Sequence, residues 1–206
     1  MIAEAAEGEP EPHRTLRDQQ RELTRRRILD AAFAAFTSGG IATATLDQIA
    51  RDAGISRATL YLHFSNKEAI LVDLLRRDLR HVQATFAALP EAVAGGVAQT
   101  REWLRAHVER HVRHRADLRL FSIATATDPA AVELVREHLV RVAATVLGPL
   151  GEDVRSSDPA LWTRTILMLM RINQVVASLV QSDPELDPAT ALDITAAEIV
   201  AVLGRR

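Results

Sequence analysis

Six positions in one short stretch carry side chains suited to holding a polyanion and reading its edges: Ser56, Arg57, Thr59, Tyr61, His63 and Lys67. Hydroxyl, imidazole and ammonium groups donate to phosphate oxygens, while arginine and short hydroxyl side chains also match the exposed edges of bases. Nothing acidic is placed to complete a triad with Ser56 and His63, and the chain has no cysteine. A phosphate-binding glycine loop, Gly-x-Ser-x-Gly and His-Glu-x-x-His are all absent from the sequence. These observations argue against an enzyme, and nothing in the sequence asks for a cofactor or a metal.

A second group lies further along. His107, His111 and His114 follow helical spacing, which suits metal ligation. Arg105, Arg110, Arg113, Arg115 and Arg119 crowd them and would repel a cation. Half-buried or surface histidines, or contact with an acidic or polar ligand, are the better readings. Trp103, His107, Phe121, His138, Met168, Arg171 and Asn173 are candidates to line a small-molecule cavity between central helices. Ordinary core packing is the better reading for each of Trp103, Phe121 and Met168 taken singly. Arg171 and Asn173 interrupt a very apolar helix and need partners, in a pocket or across a subunit interface.

The elements that must position these residues are helical throughout. Apolar residues recur at three-four spacing, and Gly and Pro fall at segment boundaries. We expect an all-α chain of about nine helices. Residues 1–16 lack periodicity and read as a disordered tail. Residues 17–65 are expected to form a helix-turn-helix DNA-binding domain, and residues 66–206 a larger helical ligand-binding and dimerisation domain. Within the first domain, Thr45 caps a short helix, Gly54 makes a tight turn, and Ser56 caps a second short helix with Leu60 and Phe64 inward. Two short helices meeting at a glycine turn form a helix-turn-helix. The segment 158–181 is apolar nearly all round, so it requires cover on more than one side, which a second subunit would supply.

Charge is distributed unevenly. Residues 13–80 hold twelve bases and eight acids, whereas residues 1–12 hold four acids and no base. The basic excess sits where nucleic-acid contact is expected. Arg14, Arg17 and Arg21 suit either a minor-groove arm or, more simply, a solvated basic face. No apolar run reaches the roughly 18 residues a membrane span needs. The acidic start lacks the features of a signal peptide, so a cytoplasmic location is expected.

The string Ile49-Ala50, Ala53-Gly54-Ile55-Ser56, Thr59-Leu60-Tyr61, His63-Phe64, Lys67-Glu68 and Leu71 resembles the N-terminal domain of TetR-family regulators. Upstream, Ile28 to Ala32, Phe36 and Gly40 agree with it. The resemblance implies phosphate-anchoring roles for Thr45, Tyr61, His63 and Lys67. It also implies a groove-facing role for Ser56, Arg57, Ala58 and Thr59, with Arg57 and Thr59 reading bases. Leu62 departs from the pattern, which places a contact there in doubt. The family further implies a homodimer on a near-palindromic DNA operator, released by a small-molecule effector, with repression the usual direction. Two rivals stand beside it: a ligand-binding protein with a vestigial helix-turn-helix, and a ligand-independent architectural DNA binder.

Overall fold

A computed structural model describes residues 15–148 and 151–204. Among the described residues every regular element is a helix. Arg14 and most of the expected tail lie outside the described residues, but Thr15 and Leu16 already belong to the first helix. The Thr15 side chain accepts from the Asp18 amide, and Asp18 reaches back to the Thr15 amide, so a capping box starts α1 (Leu16–Ser38). The buried stripe of α1 is Ile28, Leu29, Ala32, Ala35 and Phe36, which matches the helical period of its apolar residues.

Three further caps build the segment that follows. Thr45 accepts from the Gln48 amide at the start of α2 (Leu46–Asp52). Ser56 accepts from the Thr59 amide at the start of α3 (Arg57–Tyr61). The Asn66 side-chain oxygen accepts from the Ala69 amide at 2.8 Å and opens α4 (Lys67–Phe86). Each such cap satisfies a helix N–H that has no partner within its own helix.

The remaining elements are α5 (Leu89–Ala94), α6 (Val97–Arg113), α7 (Arg115–Thr127), α8 (Pro129–Leu147), α9 (Gly151–Ser157), α10 (Pro159–Gln181) and α11 (Pro188–Leu203). That makes eleven helices among the described residues, two more than expected, the additions being α5 and α9. Pro90 does not simply close α4. It occupies the first turn of α5, where a missing N–H costs nothing.

The chain divides into two compact units, one up to Ile70 and one from Leu71. In the first, Ile28, Ala32, Phe36, Ile49, Leu60 and Phe64 are buried. In the second, Phe86, Leu89, Leu104, Val146, Leu169, Ile172 and Ile199 share one apolar core. There α6 packs chiefly on α11, and α10 lies against α8 and α11. Helix α10 buries Met168, Leu169, Ile172 and Val176 but leaves Leu167 and Met170 59% and 54% exposed. Ile194 of α11 is 50% exposed. No described helix is long and apolar enough to cross a membrane.

Candidate nucleic-acid interface

The turn between α2 and α3 is fixed by backbone and side chain together. Gly54 adopts φ +64°, and the Ile55 amide donates to the Ala50 carbonyl at 3.0 Å. Left-handed backbone of this kind favours glycine. A Cβ at Gly54 would also lie 2.6 Å from a guanidinium nitrogen of Arg27, which itself donates to the Gly54 carbonyl at 3.2 Å. Buried Ala50 and Ala53 and half-buried Ile55 fill the angle between the two helices.

Helix α3 turns Leu60 inward and leaves Ser56, Arg57, Ala58 and Tyr61 exposed. Two of the expected contact residues are less open. Thr59 is half-buried, and its hydroxyl lies 2.8 Å from that of Ser56. His63 is half-buried too, with its Nδ1 buried and lacking a hydrogen-bond partner. Burial first, then the charges of Arg21 and Arg25, holds its pKa below the ordinary imidazole value. Its surroundings therefore favour the neutral ring, which meets a phosphate with an N–H more readily than with a charge. Leu62 is 78% exposed, an apolar side chain on a polar face.

Arg57 is held rather than free. Its Nη1 donates to Asp47 Oδ2 at 3.2 Å, and its Nε lies 3.1 Å from Asp47 Oδ1. Its guanidinium carbon sits 5.6 Å from the Tyr61 ring centroid, and Nη2 is 3.4 Å from the Tyr61 hydroxyl. The Tyr61 contact and the Asp47 carboxylate hold this guanidinium still more firmly protonated. Lys67 is engaged as well: its Nζ donates to the Ile41 carbonyl at 2.8 Å. Thr45, Tyr61, Asn66 and Lys67 line one shallow surface depression. Three expected anchors are thus brought together, while His63 sits beside Arg21 and Arg25 instead.

Sequence reasoning missed Asp47, Arg25 and Arg27. Arg25 covers the Phe64 ring at 4.5 Å, and Arg27 bonds the turn. Each pairing links a helix to a different element or turn, so helical periodicity holds no signal for it. Arg17 and Arg21 lie inside α1.

The family description "Bacterial regulatory proteins, tetR family" matches residues 28–74, the stretch just described. Over 193 residues the chain is 30% identical to the HTH-type transcriptional regulator EthR of Mycobacterium tuberculosis, which covers 89% of this chain and 88% of EthR. The chain belongs to the TetR family. It is a transcriptional regulator with a DNA-binding helix-turn-helix, not an enzyme. The TetR-family likeness is densest at the N-terminus. The HTH-type transcriptional regulator SrpR of Pseudomonas putida is 50% identical over 54 residues, 26% of this chain and only 25% of SrpR. Among solved structures, Thermus thermophilus FadR, a TetR-family repressor in complex with lauroyl-CoA, matches with a TM-score of 0.57 and 25% identity. The match covers 83% of this chain and 90% of FadR.

In TetR-family proteins of this build the second unit is where a small molecule was expected, and the candidates there fall into separate groups. Trp103 donates to the Thr85 carbonyl at 3.2 Å and stacks on His107, with ring centroids 5.2 Å apart. Phe86 meets both rings edge-on. His107 is 1% exposed, and burial, with His111 and Arg110 adding to it, pushes its pKa down to about 3. His111 is buried and donates from Nδ1 to the His107 carbonyl at 2.9 Å. His114 is exposed, 3.8 Å from the Asp117 carboxylate, so the three histidines do not converge. His138 is buried, its pKa pushed down to about 4 by burial. His107 Nδ1 and His138 Nε2 have no hydrogen-bond partner. Met168 belongs to the core and Phe121 is half-buried. Arg171 and Asn173 are exposed, and Arg171 pairs with Glu198 at 2.9 Å. The surface of α10 places both away from the buried histidines.

Proposed function

We propose that this chain is a dimeric repressor that leaves a near-palindromic operator when a small molecule binds its C-terminal helices. The observation that carries the reading is the exposed polar face of α3, with Arg57 at its start and Leu60 turned inward. A helix of this kind fits a major groove, with arginine reading base edges and hydroxyls holding phosphates. Thr45, Tyr61 and Lys67, which share one depression, supply phosphate anchors.

Dimerisation is supported by the exposed Leu167 and Met170 of α10 and Ile194 of α11. Large apolar side chains open to solvent on two neighbouring helices suit a self-complementary two-fold interface. Two recognition helices would then meet successive major grooves, about 34–36 Å apart or a modest multiple of that.

A ligand in the second unit is supported by FadR, a relative whose ligand joins a long apolar chain to a polar group. It is supported too by the buried, unpartnered nitrogens of His107 and His138, since buried polar groups are nearly always hydrogen-bonded. Such a ligand shifts the equilibrium only if it prefers the DNA-free state. Helix α4 belongs to both units and is the element through which that preference acts. The site of action is the cytoplasm, where the operator is.

Selection of bound sequences from a random duplex library tests this reading. The expected product is a palindrome whose half-site spacing matches a dimer. Failure to bind any duplex even at low salt overturns the reading and favours a ligand-binding protein with a vestigial helix-turn-helix. Broad sequence tolerance without a small-molecule response points to an architectural DNA binder.

A further inference from the structure

We propose that Asp47 sets operator specificity by positioning Arg57, so that the free edge of the guanidinium reads a guanine in each half-site. The inference rests on the reading of α3 as the groove-facing helix. Asp47 lies in the first turn of α2, ten residues before Arg57, and reaches it across the glycine turn. Its carboxylate accepts from Nη1, and its buried Oδ1, which lacks a hydrogen-bond partner, lies 3.1 Å from Nε. Tyr61, one helical turn further along α3, closes the other side. Arg57 is therefore bracketed between two helices while remaining exposed.

An unrestrained arginine on a groove-facing helix meets phosphates and base edges alike. A bracketed one presents a fixed pair of donors. The guanidinium has five N–H groups, and Asp47 takes from one side of it. One N–H of Nη1 goes to Asp47 and one of Nη2 to the Tyr61 hydroxyl, so each terminal nitrogen keeps one more N–H for a base edge. Guanine offers two acceptors, O6 and N7, to such a pair, whereas adenine sets a donor beside its single acceptor. The fixed edge therefore selects guanine.

The carboxylate carries a disadvantage that argues for this role. A negative charge on a DNA-facing surface repels phosphates, so Asp47 lowers affinity for every duplex. Discrimination of this kind weakens all partners while favouring one. Stabilising the α2 N-terminus by an acid in the first turn would need no arginine partner. An exposed ion pair by itself contributes little to stability.

The test compares the full chain with Asp47→Ala, Arg57→Ala and the double variant in selection from a random duplex library, each with a thermal melt. For the wild type we expect a G·C pair at one position of each half-site that is lost in Arg57→Ala. In Asp47→Ala the preference for guanine there falls roughly tenfold, in line with one bidentate base contact. Affinity for random duplex holds or rises. In the Arg57→Ala background, removing Asp47 changes base choice no further. Asp47→Asn keeps size and polarity if the alanine variant unfolds, and the same loss of guanine preference is expected. The proposal is overturned if guanine preference survives in a folded Asp47 variant. It is also overturned if binding falls equally on all sequences, or if the base lost with Arg57 is not guanine. A wild-type chain that binds no duplex would instead overturn the functional reading beneath it.

Discussion

On the proposed reading, single residues on α3 divide into those that choose a sequence and those that hold any sequence. Arg57→Ala is expected to relax preference at one position in each half-site. Tyr61→Phe keeps the ring against Arg57 but removes a phosphate donor, and is expected to weaken all sites alike by a few-fold. Measured affinities across a set of single-base operator variants separate the two, and equal uniform losses would refute the assignment. Gly54 allows a stability prediction. Alanine there combines a left-handed backbone with a Cβ 2.6 Å from Arg27, and should cost about 1–2 kcal/mol. A thermal melt reads this directly. Much of this scale was legible beforehand, because caps, a glycine turn and inward apolar positions leave local signatures. The brace from Asp47 was not, since a side chain ten positions away across a turn obeys no helical period. The half-burial of Thr59 and His63 escaped for a related reason, as exposure there is decided by Ser56 and α1, not by α3 itself.

At the scale of elements, α6 and α8 each carry a histidine kept neutral by burial. The unfolded chain binds a proton near pH 6.5, whereas His107 and His138 bind one only near 3 and 4. Between those values the unfolded state holds more protons than the folded state. Stability is therefore complete above pH 6.5 and is lost as pH falls, by up to about 1.4 kcal/mol per pH unit for each histidine. Melting temperatures at pH 7 and 4.5 should differ, and His107→Phe should shrink the difference. An unchanged slope in that variant would show that His107 does not carry it. Long helices were readable from their stripes and Asx-Pro starts: Asp128-Pro129, Asp158-Pro159 and Asp187-Pro188 each open one. Helices α5 and α9 are too short for a period to show, and α5 has no capping side chain of the kind that betrayed the equally short α2 and α3.

For the molecule as a whole, the surface on which the proposed dimer rests is the apolar one on α10 and α11. Its presence was foreshadowed by a segment apolar nearly all round, a property that composition alone reveals. Which side stays open depended on how α8 and α11 pack, and the sequence held no signal for that. Leu167→Asp or Met170→Asp should yield monomers by sedimentation, with helical content by circular dichroism unchanged. Operator affinity should fall by orders of magnitude, because each half-site contact is then made alone. A stable dimer in both variants would move the interface elsewhere.

The chain has one lysine, and its ammonium group lies at the start of α4 against the Ile41 carbonyl, within the depression shared with Thr45 and Tyr61. Amine-selective acylation consequently has a single side-chain target, and that target lies on the surface proposed to meet the duplex. The rate at which this one amine is capped becomes a built-in footprint of occupancy. It should drop when an operator is seated and recover when an effector strips it away.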